Sequence, residues 1–326
     1  MNFESAALPI ARYRFNFRVT QAINTQLYAG SALRGAFGHA LKQLACVTKI
    51  KECIACPLLS SCPYTQIFSP HEIPRTRNEF STIHQIPVPY LIEPPTLGSK
   101  TYEPESEFSF NMVLMGDSLK QLPLIIMAWR RALLRGLGRT DGKAELINVV
   151  FTTLNESLVV YDEDSPVLAE HQTGLSLPRY AAAQDLHLLF STPLRIQKDK
   201  KVLGALDMTA RILLRNIIRR VSLVVQFHLG SVIDIDVHRI NLLADTVDDE
   251  RRLSWQDWSR YSTRQEQKIN LGGVQGHWLL REVPVELLPF VYLGQWLHVG
   301  KETSFGLGRY QIISDEWKPV PVEVSA

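Results

Sequence analysis

Gly300, Gly306 and Gly308 fall within nine residues, between an apolar, helix-like run from Glu286 to His298 and a strand-like run from Arg309 to Ile313. Glycine reaches positive φ and lets another backbone come close. This stretch must therefore turn tightly between a helix and a strand. The residues around the glycines include Lys301, Thr303, Ser304 and Arg309. A loop of this kind can aim several N–H groups at one anion, and the cations beside it suit a polyphosphate. A helix C-cap followed by a turn accounts for Gly300, but not for Gly306 and Gly308 after a mostly polar segment. Two known nucleotide loops are excluded. A P-loop would place Gly at 295 and Ser or Thr at 302, where the chain has Gln295 and Glu302. A dinucleotide fingerprint follows a strand and opens a helix, whereas here the helix comes first.

The 326 residues suggest about two domains, at roughly 150 residues each. No run of 18 or more apolar residues is present to span a bilayer. The N-terminus lacks a basic region followed by an apolar run. A cytoplasmic protein without a membrane partner is expected. The net charge is only +2, so any nucleic-acid contact must come from local clusters. Arg211, Arg215, Arg219 and Arg220 gather on one predicted helix, and Arg130, Arg131, Arg135 and Arg139 at the end of another. Each set reads either as a solvated helix face or as an RNA-contacting one.

All four cysteines, Cys46, Cys53, Cys56 and Cys62, lie within 17 positions, spaced C-x6-C-x2-C-x5-C. In a cytosolic chain such a cluster reads as a metal site rather than as disulfides. Four thiolates suit a closed structural zinc site with no open position for catalysis. An iron–sulfur cluster is the alternative, because Cys56-Pro57 and Cys62-Pro63 echo the Cys-Pro ending of some cluster motifs.

Periodicity gives the organisation. Leu8 to Thr20 alternates as a strand. Ser31 to Cys46 reads as a helix with Leu33, Phe37, Leu41 and Leu44 on one face. Pro70 to Pro95 reads as an extended connection ending in a strand. Glu107 to Met115 is a strand, Ser118 to Leu137 a helix closed by Gly136 and Gly138, and Glu145 to Thr153 a strand. The order then recurs. Asp185 to Phe190 is strand-like and Asp207 to His228 helical. Arg260 to Ile269 and His277 to Val283 read as a hairpin around Leu271-Gly272-Gly273. The last helix, glycine loop and strand follow. Two β-α-β-β-α-β units joined near Asp162 to Ala183 are the simplest account.

The spacing Gly, five residues, Gly, apolar residue, Gly resembles the glycine-rich loop of the RAMP superfamily of CRISPR-associated RNA-binding proteins. Lys268 to Gly276 resembles the hairpin before the last helix in the branch that cuts CRISPR repeat RNA. Leu293 to Lys301 resembles that branch's entry to the loop, and Leu33-Arg34-Gly35-Ala36-Phe37-Gly38-His39-Ala40-Leu41 its first helix. The resemblance implies an α+β fold of two tandem ferredoxin-like (RRM-like) domains facing each other, with RNA in or near the cleft. Their expected extents are 1–165, carrying the cysteine-rich metal-binding insertion at 46–66, and 180–326, with the glycine loop at 299–309. It implies a metal-independent endoribonuclease acting on CRISPR precursor RNA and leaving 5′-OH and 2′,3′-cyclic phosphate ends. The alternative is a non-catalytic RNA-binding subunit of a CRISPR effector complex. Repeat RNA, the processed crRNA and other effector subunits are the implied partners.

His39 is the candidate for proton transfer, since histidine titrates near neutral pH and small neighbours, Gly38 and Ala40, leave it accessible. Chemistry alone leaves a packing or surface histidine equally open; the resemblance favours catalysis. Lys42, three residues on, can share its helix face, and Tyr28 could orient the phosphate. Arg34, Gly300, Lys301, Ser304, Gly306, Gly308 and Arg309 are the candidate RNA contacts. His298 and His238, the latter after Asp234-Ile235-Asp236, are reserve histidines. Trp255, Trp258 and Tyr261 read as base-stacking or core aromatics.

Overall fold

The computed structural model describes residues 7–70, 86–95, 97–138, 141–153, 156–230, 236–262 and 267–313. Two antiparallel sheets organise them. The first is built on β1 (Ile10–Gln21), whose alternating Tyr13, Phe15, Phe17 and Val19 are buried. It pairs on one side with β3 (Glu107–Met115), from Ile10 opposite Met115, and on the other with β4 (Lys143–Thr152). Strands β2 (Tyr90–Glu93) and β5 (Ser157–Asp162) form the edges, giving the order β2-β3-β1-β4-β5. Helices α1 (Gly30–Ala45) and α2 (Leu122–Arg135) cover the aromatic face. There Phe37 stacks on Trp129, with centroids 5.0 Å apart, and Trp129 Nε1 donates to Met112 Sδ at 3.2 Å. Burying each such ring contributes about 1.5–3 kcal/mol, which fixes how the two helices sit side by side.

The second sheet has the order β7-β8-β6-β9, from β6 (Gln184–Leu194), β7 (Asp249–Gln256), β8 (Gly273–Val283) and β9 (Tyr310–Ile313). Helices α3 (Ala210–His228) and α5 (Leu288–Leu297) pack on Leu188, Phe190, Trp278 and Leu280. In each sheet the first strand of its unit lies beside the third and the fourth, the arrangement a β-α-β-β-α-β unit produces. The two halves share apolar packing: Ile10, Leu91, Val113 and Met115, on the other face of the first sheet, join the buried cluster of the second half.

Several elements differ from the sequence reading. The helix expected from Ser118 begins as a 3-10 segment, Gly116–Gln121. Ser118 Oγ accepts from Met115 N and donates to Pro89 O, so this segment is tied to the sheet edge before α2 starts. The hairpin expected from Arg260–Ile269 and His277–Val283 is not formed. Ser259–Ser262 pairs with Gln267–Asn270 instead, and β8 pairs with β7. Strand β7 is an edge strand whose residues are mostly exposed, so it lacks the apolar alternation that reveals a strand. An additional helix, α4 (Val237–Ala244), is capped by Asp236, whose side chain accepts from Arg239 N at 2.9 Å. Among the described residues no helix is long and apolar enough to cross a membrane.

Candidate functional site

Helix α1 turns Leu33, Phe37, Ala40 and Leu41 into the core and leaves the opposite face outside. His39 is exposed on that face. Its Nε2 lies 2.9 Å from Nε2 of Gln43, one turn later, and Gln43 Oε1 accepts from Nη1 of Arg135 at the end of α2. The side-by-side helices thus bring an imidazole, an amide and a guanidinium together. Lys42 does not join them. Its Nζ lies 5.6 Å from the centre of the Tyr64 ring, and Arg34 lies over Phe68 at 4.5 Å. Both cations therefore lie against the segment that follows α1.

Tyr28, just before α1, is 4% exposed. Its hydroxyl donates to Phe305 O at 2.8 Å, and its ring meets Trp258 edge-on at 4.9 Å. Burial raises the phenol well above its ordinary range. The structure gives Tyr28 the task of docking the glycine loop onto the start of α1. Trp258 packs in the same small core, whereas Trp255 is exposed. The side chain of Tyr261 lies outside the described residues.

The glycine loop is held by acceptors in the loop itself and at the end of β6. N–H groups of Val299, Lys301, Phe305, Gly306, Gly308 and Arg309 donate to Gly308 O, Arg195 O, Glu302 O, Thr303 O, Pro193 O and Thr192 Oγ1. The expected nest of N–H groups aimed at an anion is therefore not what these six form. Gly306, at φ +96°, sits where a Cβ would lie 2.6 Å from Ile92 O and 2.7 Å from Pro94 Cδ. Gly308, at φ +69°, lies against Val299 O with no room for a Cβ. These glycines are demanded by close packing of the loop on β2 and on its own entry. Lys301 is exposed, while Ser304 and Arg309 are half-buried at the rim.

Beneath the loop lies a charged cluster the sequence did not reveal. Glu93, on β2, is fully buried and receives Arg12 Nη2 at 3.0 Å, His298 Nε2 at 3.2 Å and Asn111 Nδ2 at 3.3 Å; Arg309 Nε lies 3.7 Å away. Burial by itself would raise the Glu93 carboxyl, but Arg12, the His298 hydrogen bond and Arg309 outweigh it and hold it far below the carboxylate range. His298 is pushed down by burial and by the two arginines, against the pull of Glu93, so it stays neutral and donates to an ionised carboxylate. This reserve histidine is a buried tie between the halves rather than an exposed proton carrier. His238, the other reserve, is exposed on α4. Asp234 lies outside the described residues.

Residues 188–310 match the family model of the CRISPR-associated endoribonuclease Cas6, and residues 8–173 match a model described as the AF_1859_N N-terminal domain. The second half of the chain carries a Cas6-family domain. No curated relative matches its sequence. Solved structures agree on the fold. A Cas6 product complex has a TM-score of 0.56 at 14% identity, over 94% of this chain and 100% of that one. Thermus thermophilus Cas6 has a TM-score of 0.50 at 15% identity, over 94% and 99%. A partial Cas6-RT-Cas1–Cas2 complex has a TM-score of 0.55 at 15% identity, over 94% of this chain and 46% of that chain.

In the first half, the cysteine segment leaves the end of α1 and folds through one 3-10 turn, Cys53–Ala55, and a one-turn helix, Pro63–Ile67. Cys46, Cys53, Cys56 and Cys62 are half-buried free thiols. All four line one cavity of about 220 Å³, whose walls hold no acidic, basic or imidazole side chain. Among the described residues no three or more His, Cys, Asp or Glu side chains are gathered as a metal site. The arginine face of α3 is partly spent. Arg211 and Arg215 pair with Asp245 at 2.8 and 3.3 Å, and Arg220 is half-buried, donating to Leu297 O. On α2, Arg130, Arg131 and Arg135 are exposed; Arg139 lies outside the described residues.

Proposed function

We propose that this protein is an endoribonuclease that cuts CRISPR precursor RNA within repeats without a catalytic metal, leaving 5′-OH and 2′,3′-cyclic phosphate ends. The observation that carries this reading is an exposed His39, hydrogen-bonded to Gln43 on the outer face of α1, in a chain whose second half carries a Cas6-family domain. RNA carries its own nucleophile. The 2′-oxygen is held beside the phosphorus, so attack is intramolecular. The O2′–P bond forms as the P–O5′ bond breaks. His39 takes the 2′-OH proton, and water supplies the proton to O5′. Arg135, linked to His39 through Gln43, is the cation proposed for the charge that builds on the phosphate, with Lys42 next on the same helix as His39 but turned toward Tyr64. Arg34, Lys301, Ser304 and Arg309 are the proposed RNA contacts, with Gly300, Gly306 and Gly308 shaping their loop and Tyr28 holding it.

The four cysteines are proposed to hold a structural zinc, with an iron–sulfur cluster as the alternative. Support comes from the donor set, four thiols on one cavity with no competing charged group. Bound there, the metal would tie the segment after α1 together. Likeness to a Cas6-RT-Cas1–Cas2 complex supports other CRISPR proteins as partners besides repeat RNA.

The test is incubation of the pure protein with repeat RNA in brief chelation. Cleavage is expected, and none when the nucleotide before the cut is 2′-deoxy. A magnesium requirement, or cutting of the deoxy substrate, refutes the mechanism. Tight binding without any cutting identifies the non-catalytic RNA-binding subunit instead.

A further inference from the structure

We propose that Gln43 is a positioning residue that holds His39 as a base, and that Arg135 holds Gln43 in the orientation this requires. The inference rests on His39 being the proton acceptor. Arginine has only donors, so the contact between Arg135 Nη1 and Gln43 assigns that amide atom as the oxygen. The other amide atom, facing His39, is then the NH₂ group, which can only donate. His39 Nε2, 2.9 Å away, must accept. The ring proton therefore resides on Nδ1, and Nε2 presents a lone pair. This is the tautomer that free histidine disfavours in water, so a specific partner must select it.

The arrangement suits the reaction. The amide N–H occupies the place that the 2′-O–H of the RNA must take to donate to Nε2. When the hydroxyl arrives, it displaces the amide, and its proton passes to Nε2 as O2′ attacks. The displaced amide stays tethered to Arg135. The set of three is not local in sequence. His39 and Gln43 share a face of α1 at i, i+4, but Arg135 reaches them only because α1 and α2 pack side by side.

Selectively labelled histidine nitrogens report the tautomer directly in the full-length protein, with the His39→Ala spectrum giving the assignment. Wild type is expected to show Nδ1–H at His39. Gln43→Ala should return the ring to the Nε2–H form and slow cleavage by about 10- to 100-fold with RNA affinity unchanged. Gln43→Glu keeps the size and the Arg135 contact but can only accept at His39. It should force Nε2–H and slow cleavage further than alanine does. Arg135→Ala should give a mixture of tautomers. An Nε2–H ring in wild type, or a Gln43→Glu variant that cuts as fast as wild type, overturns the proposal. If the tautomers behave as expected while His39→Ala cuts normally, the positioning stands and the catalytic assignment of His39 falls.

Discussion

The Glu93 carboxylate lies 3.2 Å from Nε2 of His298, 205 residues further along, and neither side chain reaches solvent. Glu93 belongs to the edge of the first sheet, and His298 caps the last helix of the second. Burying a carboxylate is costly unless it is paired and fully hydrogen-bonded, and Arg12 and Asn111 complete the set. The glycine loop is thereby anchored from below as Tyr28 anchors it from the side.

This cluster makes the protein acid-sensitive. His298 is held below its ordinary value in the folded state, so as pH falls below about 6.5 the unfolded chain takes up a proton that the folded chain refuses. Stability should decline through that window. Glu93 adds a second loss below about 4.5, where the unfolded carboxylate protonates and the folded one does not. His228, also depressed by burial, contributes with the same sign as His298. Melting temperatures of wild type and His298→Gln from pH 7.5 to 5 test this. The variant should melt lower at pH 7.5 and lose less on acidification. An identical pH slope would remove His298 from the account.

His39→Ala should reduce single-turnover cleavage by about 10²- to 10⁴-fold while leaving the RNA dissociation constant nearly unchanged. Cleavage at the wild-type rate would exclude His39 as the proton acceptor, with exposed His238 next to be tested.

Substitutions in the glycine loop should separate folding from binding. Gly308→Val places a side chain at φ +69° against Val299 O. Adopting that backbone costs about 1–2 kcal/mol before the clash is counted, so its melting temperature should fall. Lys301→Ala, at an exposed position, should leave the melting temperature alone, weaken RNA binding and reduce its salt dependence by about one unit of slope. Unchanged affinity at low salt would remove Lys301 from the RNA interface.

Elemental analysis of protein purified without chelator should find about one tightly held zinc per chain. Cys56→Ser should lower the zinc content and expose the segment after α1 to proteolysis. Iron with sulfide would mark the cluster alternative. Four freely reactive thiols in metal-free, fully active protein would exclude a metal role for these cysteines.

Local pattern fixed much of this chain. Alternation located β1 and β3, and the period of Leu33, Phe37 and Leu41 located α1 with His39 on its outer side. Glycine spacing marked the loop, because only glycine fits a left-handed turn pressed on carbonyls. Pattern failed where packing leaves no periodic trace. The polar edge strand β7 gave no alternation, so its pairing with β8 went to the wrong segment. The loop's N–H groups looked available to an anion until the fold paired six of them internally. Tertiary structure alone chose the partners of individual polar atoms: His298 with Glu93, and Gln43 with both His39 and Arg135. Helix and strand periods are set by the backbone's local geometry, whereas a buried ion pair or a shared amide exists only after distant elements have packed and closed the distance between them.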